Sequence, residues 1–439
     1  MAYRLRVRNA AQLVTICSGG QRFKVGKDQD EVEVIENGTI IVDHDGNIAA
    51  VGTEEELSKA EAFRSATYEA DIDATGKVVL PGLVDGHTHP VWAGDRVHEF
   101  AMKLAGATYM DIHKAGGGIG FTVGHTRTAT EEELLGSCLQ RLNRMLRLGT
   151  TLVECKSGYG LETETEMKML KVLHQARTRT PIEIVANYLG AHSVPKGMTA
   201  DQATEDILNN QIPALKELAA KGEISPELID VFLEKGVFDQ AQTKYNSGLN
   251  LSTLPRDLRL GRILEAGKEA GLLLNFHGDE INYMNAGELG GELGALSISH
   301  LERVSDEGIA AMAKVPTFAV LLPTTAYILR LEHPPARKMI EAGVPVALGS
   351  DFNPNAHCMS MPMVMNMACV NMRMTMKEAL VAATINAAGS LNKSATHGSL
   401  EVGKVGDLLI VNAPRWEHLI YQMVDPPLEH VVKKGRLVF

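Results

Sequence analysis

Cysteine is scarce in this chain. Only five of 439 residues are Cys (Cys17, Cys138, Cys155, Cys358 and Cys369). The number is odd, the spacings are wide and no Cys-x-x-Cys pair occurs. That excludes a disulfide framework and fits the reduced thiols of a cytosolic protein. Positive charge is in deficit too: 43 Lys and Arg face 54 Asp and Glu, for a formal net charge of −11. The electrostatic footprint of a nucleic-acid or anionic-lipid binder is therefore missing. A small anionic substrate stays open, because one local Arg sets the sign of a pocket. Long apolar runs are absent as well. The longest, around residues 318–322, is closed by Pro323, far short of the ~20 residues that cross a bilayer. The run at residues 13–17 is too short for the core of a secretory signal. The expectation is a cytoplasmic protein with no membrane or nucleic-acid partner.

What is present is the balance of a globular protein, 45% hydrophobic and 22% charged, with length for two or three domains at ~150 residues each. Residues 1–80 read as short strands and turns. Alternation at residues 32–36, a hairpin signal at Asn37-Gly38, a β-branched run at 39–43 and a turn at Asp45-Gly46 follow one another. The stretch 390–439 repeats that grammar, with a strand at 406–411 and two strands around a turn at 430–438. The two ends are expected to pair into one small composite β domain. Between them, over residues 81–389, apolar runs recur at 78–84, 150–153, 182–189, 229–233, 272–276, 295–298, 317–322 and 344–348. Helix-like stretches with apolar residues three and four apart, such as 131–148 and 164–177, separate several of them. Strands that have lost their period-two alternation are covered on both faces, as in a parallel β/α array. Eight such units predict an α/β fold of the (β/α)8 TIM-barrel type, with chemistry at the strand C-terminal ends. A doubly wound open sheet is the rival pattern.

The sharpest chemical feature is PGLVDGHTHP at residues 81–90. His87 and His89 lie two apart at the end of an apolar strand, so both rings project from the same side of an extended chain. His277 ends the run at 272–276, and Asp351 follows the run at 344–348 by three residues. In a barrel all four side chains meet above the pore. Three neutral imidazoles and one carboxylate leave a divalent ion positively charged, with a position free for water, as in an open catalytic site. Read one at a time, His277 is equally a hydrogen-bonded core histidine and Asp351 a helix cap. Neither reading explains why all four close strands. Proton handling needs further groups. Glu280, three residues after His277, and His300, after the run at 295–298, are the candidates. The bland alternatives are a solvated loop charge and a structural histidine. Arg96 follows the His pair and can grip a substrate carboxylate with its planar fork, or form a surface pair with Asp95 or Glu99. Tyr159 and His192 close the next two strands as polar pocket walls. The run Gly116-Gly117-Gly118-Ile119-Gly120 lacks the Gly-Lys-Ser/Thr ending of a phosphate loop and reads as a flexible loop over the pocket. No Gly-x-Ser-x-Gly elbow is present.

These segments resemble the amidohydrolase superfamily. Within it they are most similar to the imidazolonepropionase family: HTHPVWAGDRVHEF (87–100), AGGGIGFTVGHTR (115–127), TTLVECKSGYGL (150–161), NYLGAHSVP (187–195), DVFLEKGVF (230–238), HGDE (277–280), SHLE (299–302) and SDFNPN (350–355). The resemblance spans about residues 80–390. It departs from the family pattern at Leu233, Asn355 and Ala356.

The resemblance implies an amidohydrolase-type barrel at 81–389, with a small β domain made of 1–80 and 390–439. It makes His87, His89, His277 and Asp351 the ligands of one zinc or iron ion. Arg96, Tyr159, His192 and Glu280 become substrate contacts, together with Asn353 and Asn355. Glu280 and His300 become the proton-handling pair beside Asp351, and the chain a homodimer. The implied reaction is hydrolysis of the cyclic amide of 4-imidazolone-5-propanoate to N-formimino-L-glutamate in histidine degradation. The rivals are a mononuclear deaminase of purine or pyrimidine rings, which has no need of the carboxylate anchor Arg96, and a barrel that has lost catalysis.

Overall fold

The computed structural model describes residues 2–107, 111–112, 115–238 and 259–439. Its first strand, β1 (Ala2–Ile16), is long enough to serve three partners. It runs antiparallel to β2 (Glu33–Val42), parallel to β4 (Thr67–Asp73) through its first half, and parallel to β5 (Val78–Pro81) near its end. The edge strand β3 (Ile48–Thr53) pairs with β2. From the far end of the chain, β14 (Leu408–Val411) runs antiparallel to β5 and carries β15 (Leu428–Lys433) and β16 (Arg436–Leu437). One sheet thus joins both ends of the sequence. Leu5, Val7, Leu13, Ile40, Val42, Leu408 and Val432 share its core.

One turn expectation fails. Asn37-Gly38 is not a hairpin, because β2 runs straight through it. Asn37 takes the left-handed conformation (φ 51°), where the ladder to β1 also shifts register, as in a bulge. A Cβ at Gly38 would sit 2.4 Å from that of Leu13. The dipeptide serves close strand approach here, not chain reversal.

The middle of the chain forms eight parallel strands in sequence order: β6 (Leu83–Asp85), β7 (Thr150–Lys156), β8 (Glu183–Ala191), β9 (Leu228–Leu233), β10 (Leu273–Gly278), β11 (Ser297–His300), β12 (Phe318–Leu321) and β13 (Val346–Leu348). β13 and β6 meet without a regular ladder. The ring is drawn together there by Gly86 N–H to Leu348 O (3.2 Å), Asp351 N–H to His87 O (2.9 Å) and His89 N–H to Phe352 O (2.8 Å). Helices such as Glu131–Arg147, opened by a Thr130–Glu133 capping box, and Thr163–Ala176 cover the outside.

β7 and β9 are buried along their whole length, which is why their sequences read as continuous runs. Alternate residues nevertheless part company. Val153 and Cys155 pack outward under the helices, while Leu152 packs inward with Val84, Val185, Leu228 and Val320. Ala387 and Ala388 of the helix Ile385–Ser390 join this inner cluster. Two residues further along the inward face of each strand the character changes to polar: Glu154, Asn187 and Asp230, all fully buried. The barrel thus has an apolar base and a polar upper layer. No helix among the described residues is long and apolar enough to cross a membrane.

Candidate metal centre

The chain leaves β6 still extended, so His87 and His89 face the same way. Asp85 ties this edge to the strand beside it by accepting from Ser350 N–H (2.8 Å) and Ser350 Oγ (2.5 Å). Gly349 admits the approach, since a Cβ there would lie 2.8 Å from His87 Cβ. Non-glycine residues adopt positive φ at several of these strand ends: Asp279 (54°), His300 (80°) and Asp351 (45°). Such backbone costs on the order of 1–3 kcal/mol each and persists where the surroundings impose it. His300 and Asp351 line the cavity at the mouth of the barrel, while Asp279 accepts Met284 N–H (2.6 Å) and Ala286 N–H (3.1 Å).

His87 Nε2 and His89 Nε2 lie 3.3 Å apart, and each is 3.4 Å from Asp351 Oδ1. Bonds of ~2.0–2.1 Å meeting at the tetrahedral angle hold ligand atoms ~3.4 Å apart, so this triangle has the size of one ion's coordination shell. His277 shares one close group of ligand atoms with His87 and His300 and another with His89 and His192. Its Nε2 is buried without a hydrogen-bond partner. Two of the opposite nitrogens are held from behind, with His87 Nδ1 2.8 Å from Ser299 Oγ and His277 Nδ1 2.7 Å from Asp230 Oδ1, whereas His89 Nδ1 is buried without a hydrogen-bond partner. In His277 that bond places the proton on Nδ1 and leaves the Nε2 lone pair free.

Burial pushes His277 down to about 4, lowers His89 and takes His87 well below its ordinary range, so all three rings are neutral. At Asp351 burial opposes ionisation, yet contacts with His87 and His89 hold its carboxyl well below the usual range. Thr325 Oγ1 donates to its other oxygen. Neutral imidazoles, an ionised carboxylate and an orphaned Nε2 fit a divalent cation.

Asp230 was not apparent as a functional residue in the sequence, nor was the cluster behind it. Lys156, fully buried, contacts Asp230 Oδ2 at 3.1 Å and donates to Glu154. Asn187 Nδ2 donates to Glu154 Oε1 (2.6 Å). Glu154 in turn accepts Thr88 N–H (3.0 Å), from the residue between the two histidines. The available signal was a polar residue inside an apolar strand at the inward register, as in Leu-Ile-Asp-Val-Phe-Leu of β9.

Beside the ligand group stand Glu280 and His300, with Glu280 Oε2 3.7 Å from His300 Nε2. Neither is a solvated surface group: they are 7% and 2% exposed. Burial above all, with Glu302 and Asp351 adding to it and His300 opposing, pushes Glu280 up to about 7. Burial disfavours charge on His300, but Glu280 and Glu302 together push it up to about 10. Glu302, buried and 3.8 Å from His300 Nδ1, is a second group that sequence reading passed over, although it closes the quoted SHLE segment.

A cavity opens over this floor. It is lined by His89, Arg96, Tyr159, His192, His277, Glu280, His300, Asp351, Asn353 and Asn355, with Ile119, Phe232 and Leu329 among its apolar walls. Every candidate site residue therefore lines one cavity except His87, which is fully buried behind it. Arg96 does pair with Glu99 (2.7 Å), but as a buried pair and not a surface one. Its Nε has no partner. Glu99 also accepts Gly118 N–H (2.8 Å), so the glycine run is tied to the residue that holds Arg96. His192 Nδ1 is 2.9 Å from Gly158 O, and its ring stacks on His89 at 5.0 Å. Asn353 shapes its own loop, with Oδ1 accepting Asn355 N–H (2.7 Å) and Ala356 N–H (3.1 Å). Asn355 Oδ1 accepts from Lys103.

Comparison with known proteins agrees with this architecture. The amidohydrolase family matches residues 263–438. A Dictyostelium discoideum protein named probable imidazolonepropionase is 62% identical over 438 residues, covering 100% of this chain and 98% of that protein. The protein of the same name from Mus musculus is 59% identical over 440 residues, covering 100% and 99%. Among solved structures, an adenosine deaminase from Xanthomonas campestris with bound zinc aligns at TM-score 0.67 and 16% identity, over 99% of this chain and 93% of that one. Atrazine chlorohydrolase from Arthrobacter aurescens, complexed with zinc, aligns at TM-score 0.70 and 16% identity, over 99% and 95%. At those identities the structures establish the fold alone.

Proposed function

The chain belongs to the imidazolonepropionase family of amidohydrolases; it is a hydrolase of histidine degradation, and we propose how its residues divide the work. The bond cut is the cyclic amide C–N bond of 4-imidazolone-5-propanoate, giving N-formimino-L-glutamate. His87, His89, His277 and Asp351 would hold one zinc or iron ion; the ligand set suits either. Such an ion, when bound, acidifies a water and polarises the lactam carbonyl.

The remaining steps fall to side chains. Arg96 and Tyr159 take the propanoate carboxylate, and His192, neutral because burial pushes it well down, offers Nε2 to the ring. Glu280 accepts a proton from the attacking water as its oxygen bonds to the lactam carbon. The same proton goes to the departing ring nitrogen as the C–N bond breaks, so Glu280 ends as it began. His300, kept cationic by Glu280 and Glu302, donates to the oxygen on which negative charge develops.

The observation that carries this reading is an Arg with a buried side chain and an unpartnered Nε on the wall of a cavity that His89, His277, His300 and Asp351 also line. A neutral nucleobase carries no carboxylate to pair with that guanidinium, so it does not require the anchor. The test is to incubate metal-loaded protein with 4-imidazolone-5-propanoate and to assay both N-formimino-L-glutamate and ammonia. Formimino product without ammonia is expected. Untouched substrate, or ammonia released from purines or pyrimidines instead, overturns the proposal. Glu280→Gln should keep its metal and lose ~10²–10⁴-fold in turnover; full activity would remove Glu280 from the role. In the same reading the protein is a cytoplasmic homodimer, supported by the family resemblance and by five free cysteines; sedimentation velocity of the full chain checks the assembly.

A further inference from the structure

At the end of the barrel opposite the metal centre, where β8 starts at Glu183 and Glu227 precedes β9, the β15–β16 hairpin lies against the barrel base and frames a cleft of ≈ 550 Å³. Six cationic side chains line it: Arg4, Arg177, Lys393, Lys433, Lys434 and Arg436. Two carboxylates, Glu183 and Glu227, accompany them. Four positive charges are left over, or three once Asp407, which holds Lys433 Nζ at 2.5 Å, is included. This stands in a chain whose net charge is −11, so the cluster is not a by-product of composition.

The internal pairs do not exhaust it. Glu227 takes Arg177 (2.8 Å) and Lys393 (2.5 Å), and Glu183 faces Lys433 (3.4 Å) and Lys434 (3.9 Å). Arg4 and Arg436 have no carboxylate partner among the described residues. The Arg4 guanidinium donates only to the carbonyls of His44 and Lys434, and its Nε is buried without a partner, as is Arg177 Nε. Pro181, Ile182, Ile184 and Val438 supply apolar walls, and such walls concentrate the field of the cations.

We propose that this cleft binds a small oxyanion carrying two or more negative charges. The excess charge calls for a polyvalent ligand, the volume is large for a halide, and planar guanidinium forks match paired oxygens. The residues come from two bodies, the terminal sheet and the barrel base, so an anion between them cross-links the two and stabilises the folded chain by mass action. β8 runs nine residues from Glu183 to Ala191 beside the cavity, so at ~3.3 Å per residue the cleft lies roughly 25 Å from the reacting centre. None of the cleft residues lines the catalytic cavity, so turnover is expected to stay unchanged.

The test is calorimetric titration of the metal-loaded full chain with inorganic phosphate and with succinate, at ionic strength matched by NaCl, together with thermal melts. Saturable binding of either anion at one per chain and a Tm rise beyond the NaCl control are expected. The Lys434→Ser/Arg436→Ser variant changes two exposed residues and should weaken binding by roughly tenfold or more, with metal content and turnover unchanged. Arg436→Gln alone should weaken it by a smaller factor. A Tm rise that NaCl reproduces, the absence of binding by both anions, or equal binding by parent and variants would overturn the site. The last result would place the anion at the metal centre instead.

Discussion

Replacing Asp230 by Asn alters one atom at the back of the candidate metal centre and keeps the shape of β9. The carboxylate now has two tasks: Oδ1 holds His277 Nδ1–H at 2.7 Å, and Oδ2 takes the Lys156 ammonium at 3.1 Å, with Asn187 Nδ2 at 3.4 Å. An amide can perform only one. If its oxygen stays on His277, its NH2 group faces the ammonium and the Asn187 amide, donor against donor, in a fully buried position. If it flips, NH2 faces Nδ1, the imidazole takes the other tautomer and Nε2 carries the proton where its lone pair is needed. Either arrangement weakens the ligand, and loss of a partner of this kind costs ~10–100-fold in metal affinity, about 1.4–2.7 kcal/mol. Competition for the metal with a chelator of known affinity, followed by elemental analysis, measures it. Asp230→Ala should lose more, since Lys156 then keeps only Glu154. A competition curve for Asp230→Asn that overlays the parent's would show that Asp230 does not orient His277 for an ion.

Arg96→Ala should raise KM ~10–100-fold, the worth of a charge-assisted pair, with kcat changed far less; an unaltered KM would contradict the anchoring role. Glu183 sits where burial opposes its charge but His397 at 3.3 Å, Lys433 and Lys434 hold its carboxyl well below the ordinary range. Its folded pKa is below its unfolded one, so the unfolded chain takes up the extra proton on acidification. The stabilisation is complete above ~pH 4.5 and is lost as pH falls. Glu183→Gln should therefore flatten the fall of Tm between ~pH 5 and 3, and parallel curves would argue against it. Burial pushes the thiols of Cys17 and Cys369 up to about 11, Cys138 up to about 12, and Cys155 well above its usual value. A disulfide reagent at neutral pH should label at most Cys358 and Cys369 in the folded protein, more quickly as pH rises, and all five in denaturant; native labelling of Cys138 or Cys155 would contradict the packing of the barrel wall.

The parts of this molecule visible along the chain are those with a local cause. Barrel strands covered on both faces lose their period-two alternation and are mostly apolar, so the apolar stretches of β7, β8 and β9 stood out as runs. The His-x-His spacing survives any tertiary arrangement, because side chains two apart on extended backbone share a side. His277, His300 and Asp351 were marked by their places after apolar runs. Asn37-Gly38 misled, because the same dipeptide serves a hairpin or a bulge, and only the close approach of Leu13 separates the two.

Convergence itself is not a local property. That His87 and Asp351, 264 residues apart in sequence, have ligand atoms 3.4 Å apart depends on how the barrel closes between its first and last strands. Asp230, Lys156 and Glu154 are single charges within largely apolar strands, and only the pairing of neighbouring strands stacks them into one layer behind His277. The basic cleft draws on Arg4 near one end of the chain and Arg436 near the other. Spacing in sequence dictates which side of a strand a residue occupies; which charges become neighbours, and what burial then does to their protons, follows from strand register and ring closure, which are set by packing over the whole chain.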